Sequence, residues 1–234
     1  QAAARGACSG GACLVSCRAF RYPMAVRVRH HVNPLRPALR NLAPASLQLP
    51  PGPVDVELGC ADAQFLFQLA AGDRHTQYVG IEIREAWVED VNERAAAAGL
   101  SNLHAVFAHI NIDLPLLFAL HPVRRFFINF PDPWFKRRQH NRRIVTPELA
   151  AELSRLLAPD GELFFQSDVF DLALDAMAVL ESEPRLRNSR AEWSFLPGNP
   201  YGAQSLREER VLAQGLPVWR MRYLPVGATC SRPA

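Results

Sequence analysis

From residue 54 onward the chain alternates short, nearly unbroken apolar runs with longer stretches of helical periodicity. VDVEL at 54–58, QYVGIEI at 77–83, LHAVFAHI at 103–110, VRRFFINF at 123–130 and ELFFQSDV at 162–169 read as strands, because short runs rich in β-branched and aromatic residues suit a pleat buried on both faces. Between them, AQFLFQLAAG at 63–72, REAWVEDVNERAAAAG at 84–99, LPLLFAL at 114–120, ELAAELSRLLAPDG at 148–161 and DLALDAMAVLESE at 171–183 read as helices. Gly72 and Gly99 stand where the first two should stop. Thr146-Pro147-Glu148 supplies a hydroxyl cap, a proline at the first helical position and an acid in the first turn. PVWRMRY at 217–223 alternates as a late strand, which places Trp219 on one face as a packing residue. Strands and helices in alternation mean right-handed crossovers and an α/β fold: a mostly parallel, twisted sheet with helices on both faces. Ligands on such sheets bind at the carboxyl ends of the strands.

Upstream the pattern breaks. NLAPASLQLPPGP at 41–53 is too rich in proline for regular structure, so the folded domain is expected at 54–225, preceded by a basic arm and connector at 27–53 and followed by a flexible tail at 226–234. No Asp or Glu occurs before Asp55, while Arg5, Arg18, Arg21, Arg27, Arg29, Arg36 and Arg40 do. In residues 1–26 that composition resembles an organelle transit peptide; a disordered basic arm, and with it a cytoplasmic protein, is the alternative.

Composition removes several classes. At 234 residues, 49% hydrophobic and 21% charged, the chain suits one globular domain with extensions. No run of eighteen apolar residues offers a spanning helix, so no membrane partner is expected. The cysteines Cys8, Cys13, Cys17, Cys60 and Cys230 form no CxxC pair with a matching His or Cys pair, so no metal site is expected. Their odd number fits a reducing compartment better than a disulfide framework.

Reading the strand ends in order assembles a candidate site: Glu57, then Glu82, then His109 and Asn111, then Asp132, then Asp168. An acid ending the second strand can accept both hydroxyls of a ribose, so Glu82 is a nucleoside-binding candidate; a charge partner for the following helix is the alternative. The turn ELGCADAQF keeps Gly59 but lacks the other glycines of G-x-G-x-x-G, which disfavours a dinucleotide pyrophosphate. A nucleoside without phosphates makes no such demand, and S-adenosylmethionine is one.

NFPDPWFKRRQHNRR at 129–143 is the most specific stretch, and it holds Lys136, the one lysine of the chain. With the strand-end acids it resembles the tRNA (guanine-N7-)-methyltransferase family, whose signature is F-P-D-P-W followed by K-K/R-R and a further R-R. The resemblance extends through VELGCADAQF, YVGIEI, FFQSDV and SLREERVLAQGLPVWRMRY to the arm RVRHHVNPL, roughly residues 27–224. It implies a Rossmann-like class I methyltransferase fold, S-adenosylmethionine as cofactor and tRNA as partner, the target being the variable-loop guanosine; the oligomeric state stays open. Glu57, Gly59, Glu82, Asp132 and either His109 or Asn111 would then hold the cofactor, with Asp132 also catalytic. Lys136, Asp168, Ser205 and Glu208 would contact the guanine and its surroundings, and Arg137, Arg138, Arg142 and Arg143 the RNA. The arm is similar to cyanobacterial members, which favours chloroplast over mitochondrion.

Two departures matter. The family's first loop reads G-x-G-x-G, whereas Gly59-Cys60-Ala61-Asp62-Ala63 carries two alanines, and His109 stands where the family has Asn or Asp. These departures motivate the alternative of an RNA-binding protein with impaired catalysis; another RNA as substrate is a further alternative. The basic cluster would be a solvated face were it not interleaved with Trp134 and Phe135, as expected for RNA contact. Trp134 is consistent with either packing or stacking.

Overall fold

The computed structural model describes residues 32–39, 42, 44 and 47–227. Residues 1–26, and with them the transit-peptide reading, lie outside the described residues. Seven strands form one sheet: β1 (Val54–Leu58), β2 (Gln77–Glu82), β3 (Leu103–Phe107), β4 (Val123–Asn129), β5 (Leu157–Ser167), β6 (Leu186–Asn188) and β7 (Trp219–Pro225). Their order is β3-β2-β1-β4-β5-β7-β6. The first five are parallel, β7 runs antiparallel to β5, and β6 antiparallel to β7. The helices are α1 (Gln64–Gly72), α2 (Glu85–Ala97), α3 (Ile110–Leu117), α4 (Pro147–Leu156), α5 (Phe170–Glu181) and α6 (Leu206–Ala213). After β3 the chain returns across the sheet to β4, so the order reverses beside β1, and a crevice opens where the β1 and β4 ends diverge.

Alternation sorts the core into two layers. Phe126 and Ile128 of β4, with Leu163 and Phe165 of β5, pack on the side of α3, α4 and α5. Phe127 and Phe164 face the other way, with Phe65, Val88 and Val91 of α1 and α2. There Phe127 meets Phe65 and Tyr201 edge-on, both at 4.9 Å between ring centres. At the end of the sheet away from the crevice, fully buried Asp55 accepts Arg124 Nε and Nη2, both at 2.8 Å, and pairs with Arg125 at 3.0 Å, tying β1 to β4. Trp219 packs as expected, but against Phe170 and Phe195 at 4.6 and 5.1 Å, on the partly exposed margin of the core.

Two junctions differ from the periodicity. The fourth helix stops at Leu156, and Ala158 to Gly161 belong to β5, because Pro159 cannot continue a helix and a bulge takes up the extra residues between Val123↔Leu157 and Arg125↔Glu162. A Cβ on Gly161 would lie 2.8 Å from the Arg124 carbonyl oxygen, so a side chain has no room in that bulge. The third strand ends at Phe107, and α3 begins at Ile110, because the Asp113 carboxylate accepts the His109 backbone N–H at 2.7 Å and starts the helix early. Neither β6 nor α6 stood out in the hydrophobic pattern; β6 has three residues and α6 is mostly charged on its surface.

Candidate active site

A cavity of about 550 Å3 occupies the crevice, walled by the ends of β1, β2 and β4, the start of α3, the first turn of α6 and Val32 and Pro34 of the arm. Its floor is the loop after β1. Gly59 N–H and Cys60 N–H both donate to the Ile81 carbonyl, at 2.8 and 3.2 Å, and Ala61 N–H donates to Glu82 Oε2 at 3.0 Å. Gly59, Ala61 and Ala63 have φ of 82°, 47° and 53°. The alanines therefore follow the left-handed path that glycines take freely, at a cost of about 1–2 kcal/mol each. Gly80 of β2 gives Cys60 its place, since a Cβ there would meet Cys60 Sγ at 2.5 Å.

The first two strand-end acids are held in different ways. Glu57, 3% exposed, accepts Asn129 Nδ2 at 2.7 Å on Oε1, while Oε2 is buried with no hydrogen-bond partner among the described residues. Burial pushes its carboxyl up to about 8; the Asn129 hydrogen bond opposes this, and the charges of Asp62 and Glu82 add to it. The Cys60 thiol is also pushed up, by burial first and by the same acids after it. Glu82 is well supplied: Ile83 and Arg84 N–H donate to Oε1 at 2.8 and 3.0 Å, and the Arg84 guanidinium forks onto both oxygens, at 2.9 Å from Nε and 2.8 Å from Nη2. Arg84 keeps its charge against burial because Glu82 and then Asp132 act on it, so Asp132 faces this same corner.

Asp132 is carried on an unusual backbone. Phe130 and Trp134, which bracket Pro131-Asp132-Pro133, both have positive φ, 49° and 45°. Two left-handed turns around two prolines project the carboxylate from the sheet edge into the cavity wall. Phe130 N–H donates to the Gln166 carbonyl at 2.8 Å, which fixes the first turn to β5. The Arg142 guanidinium lies over the Trp134 ring at 5.0 Å, and both residues line the cavity. Trp134 thus stacks beneath Arg142 at the cavity wall.

The basic cluster divides. Lys136, Arg137 and Arg138 are exposed, the arginines opening a 3-10 turn that runs from Arg137 to Arg142. Arg143, expected at the RNA, is turned inward: Nε donates to the Pro133 carbonyl at 3.0 Å, and the guanidinium pairs with Asp175. It holds the motif to α5 and has little left to offer a phosphate.

At the other wall, His109 is buried, with Nε2 3.0 Å from the Pro34 carbonyl of the arm. A carbonyl only accepts, so Nε2 carries the proton in that contact. Asn111 is exposed at the rim and donates to the Ile144 carbonyl at 3.4 Å. Both line the cavity. Ser205 caps α6, accepting Glu208 N–H at 3.2 Å, and reaches the cavity with Leu206, Arg207 and Arg210. Asp168 pairs with Arg207 beside it. Glu208 departs from expectation. Its carboxylate is fully buried, bound by Arg220 at 2.8 Å, Gln166 at 3.0 Å and Asn199 at 2.9 Å, and it does not reach the cavity. A buried arginine on β7 draws it inward, against the position at the substrate that the family resemblance implies.

Sequence reasoning passed over Arg84, Asn129, Gln166, Arg207 and Arg210. A signal existed for two of them: Asn129 and Gln166 are polar residues closing otherwise apolar runs on neighbouring strands, the pattern of a strand end turned toward a site. Arg84 had none, because its fork onto Glu82 depends on the turn between β2 and α2.

The residues present suit S-adenosylmethionine. Among the described residues Glu57 Oε2 has no donor, which an ammonium would supply; Glu82 ends the second strand, where a doubly wound sheet binds a ribose, and its Arg84 fork is what the ribose hydroxyls would replace; and the loop bends as a glycine-rich turn does. A profile of the family described as "Putative methyltransferase" matches residues 51–221. A tRNA (guanine-N(7)-)-methyltransferase of Thermosynechococcus vestitus is 38% identical over 205 residues, 86% of this chain and 95% of the relative. One of Synechococcus elongatus is 37% identical over 207 residues, 85% and 96% of the two chains. Among solved structures, a SAM dependent methyltransferase from Aquifex aeolicus superposes with a TM-score of 0.51 at 15% identity, covering 74% of this chain and 81% of the other. An antibiotic related methyltransferase gives 0.51 at 20%, covering 74% and 88%. Those two likenesses establish the fold; by the identity shared along nearly the whole length of its relatives, the chain belongs to the tRNA (guanine-N(7)-)-methyltransferase family.

Proposed function

We propose that this protein transfers the methyl group of S-adenosylmethionine to N7 of a guanosine in tRNA, the variable-loop guanosine being the target that the family resemblance favours. The observation that carries the reading is the convergence of Glu57, Glu82 and Asp132 on one cavity, with the exposed Lys136, Arg137 and Arg138 following directly from its wall. Glu57 would take the ammonium end of the cofactor, Glu82 the ribose and His109 the adenine end, with Gly59 letting the backbone approach. Bound there, the cofactor supplies an electrophilic methyl group on a positively charged sulfur.

Guanine N7 has a free lone pair, so no proton is removed before attack and no strong base is required. The chain's contribution is alignment and charge. Alignment comes from the cavity walls and from Trp134, whose ring, already covered by Arg142, offers a stacking face. Charge comes from Asp132, a fixed carboxylate beside a purine that becomes cationic, and one able to accept guanine N1–H and N2–H. Lys136, Asp168 and Ser205 would engage the nucleotide, and Arg137, Arg138 and Arg142 the phosphates, so tRNA affinity falls steeply with salt. The alanines of the first loop keep the glycine-type path, which supports an active enzyme over an RNA-binding protein with impaired catalysis. The acid-free, arginine-rich composition of residues 1–26 and the cyanobacterial relatives favour action in the chloroplast, testable by import of a tagged full-length chain.

Purified protein with transcribed tRNA and labelled cofactor tests the activity: N7-methylguanosine should form, and Asp132→Ala should remove turnover while leaving tRNA affinity within about twofold. Folded protein that binds both ligands and yields no N7-methylguanosine would refute it.

A further inference from the structure

A continuous line of hydrogen bonds leaves the cavity through Glu57 and ends in a buried ion pair that the cavity does not touch. Glu57 Oε1 accepts Asn129 Nδ2 at 2.7 Å, Asn129 Oδ1 accepts Gln166 Nε2 at 3.0 Å, and Gln166 Nε2 also donates to Glu208 Oε2 at 3.0 Å. Arg220 Nε donates to Gln166 Oε1 at 3.1 Å, and Arg220 Nη2 donates to Glu208 Oε1 at 2.8 Å. Gln166 and Glu208 are fully buried, and Arg220 is 6% exposed.

The chemistry of the end members gives the line its direction. A guanidinium can only donate and a carboxylate can only accept, so the Gln166 oxygen must face Arg220 and its nitrogen Glu208. That nitrogen then presents a hydrogen to Asn129, whose oxygen must receive it. The Asn129 amide is thereby turned so that its NH2 points at Glu57. Without the ion pair both amides could rotate by half a turn at no cost in shape, and Glu57 would meet the oxygen of Asn129.

We propose that Asn129 and Gln166 are positioning residues whose amide direction, set by the buried Glu208–Arg220 pair, holds Glu57 Oε1 as an acceptor and leaves Oε2 for the cofactor's ammonium; this rests on the cofactor assignment above. The relay crosses β1, β4, β5 and β7 and reaches α6, whose first turn carries the nucleotide-side residues. It accounts for Glu208, a residue that the family resemblance places at the substrate and the structure places inside. The other groups that act on Glu57 are Asp62 in the loop and Glu82 on β2, while Glu57 itself acts on the Cys60 thiol, and the relay leaves all three in place.

Titration calorimetry of S-adenosylhomocysteine, from about pH 6 to 9, tests this on the unaltered protein, Gln166→Leu and the isosteric Glu208→Gln. Cofactor-product affinity should fall about tenfold in each variant, since a hydrogen bond to a charged group is lost. The pH midpoint of binding should move upward from the native one, because Asn129 opposes the raised Glu57 value of about 8. Transfer RNA affinity should stay within about twofold, a split that general loosening of the fold would not produce. Should Gln166→Leu fail to fold, Glu208→Gln alone decides, since it preserves shape. Unchanged product affinity and midpoint in a folded variant would overturn the proposal, as would a Glu208→Gln defect confined to tRNA. An unaltered protein that binds no S-adenosylhomocysteine would instead overturn the cofactor reading underneath it.

Discussion

Replacing Gly80 by alanine should damage the cofactor loop from behind. The added methyl would stand 2.5 Å from Cys60 Sγ, 3.0 Å from Cys60 Cβ and 3.4 Å from Leu66 Cδ1. Cys60 can retreat only toward the cavity that it lines: the residue is 5% exposed, and its N–H is bonded to the Ile81 carbonyl one residue beyond Gly80. Overpacking of this kind costs about 1–3 kcal/mol, and a contact under 3 Å belongs in the upper half of that range. Cys60→Ala alone loses a small buried thiol, about 1 kcal/mol. In the double variant the sulfur is gone and only the 3.0 Å contact remains, so its cost should fall short of the sum by about 1–2 kcal/mol. Urea unfolding of the four proteins gives the cycle, provided the slopes agree. S-adenosylhomocysteine affinity should follow, weakened about fivefold in Gly80→Ala and restored in the double variant, because the loop that moves carries the Ala61 N–H bonded to Glu82. Additive costs would refute the reasoning and mean that Cys60 turns aside without strain.

Ala61→Gly should stabilise the fold by about 0.5 kcal/mol in urea unfolding, the relief at φ 47° being partly cancelled by the greater freedom of glycine in the unfolded chain; a loss of 1 kcal/mol or more would contradict the strain. Asp55→Ala should cost about 3 kcal/mol by leaving Arg124 and Arg125 without their buried partner, yet leave S-adenosylhomocysteine affinity within about twofold; a large affinity change would show that the far end of the sheet governs the cavity. Glu57 makes stability depend on pH. Its folded carboxyl is raised from 4.5 to about 8, so the folded state holds a proton that the unfolded state has lost in that interval. The contribution is fully present below 4.5 and is lost as pH rises to about 8, at no more than about 1.4 kcal/mol per pH unit. Glu57→Gln should flatten the decline over this window; equal slopes in the two proteins would be inconsistent with a buried, protonated Glu57.

Elements whose burial is carried by their own residues were legible from the pattern alone. The parallel strands are short runs rich in apolar residues and largely buried, so they announce themselves, and Thr146-Pro147-Glu148 announced α4 because the cap is local: Leu149 N–H donates to Thr146 Oγ1 at 3.2 Å. What failed were boundaries decided by partners far along the chain. The start of β5 depends on pairing with β4, and the start of α3 on the Asp113 carboxylate reaching the His109 N–H.

The site divides in the same way. Glu57, Glu82, His109 and Asp132 were legible because the end of a strand is a position that both sequence and sheet topology define. The sequence by itself determined the strand–helix alternation, the acids that close the strands and the motif whose two prolines stiffen the backbone around Asp132. Only the tertiary structure decided what each side chain meets. It laid Arg143 against Asp175 of α5, turned Glu208 inward to Arg220, and joined Asn129 to Gln166 across neighbouring strands. It also left one oxygen of Glu57 without a donor among the described residues. The physical reason is that a charge in a sequence has no address: whether it faces solvent or an opposite charge depends on residues that only the folded sheet brings within 3 Å of it.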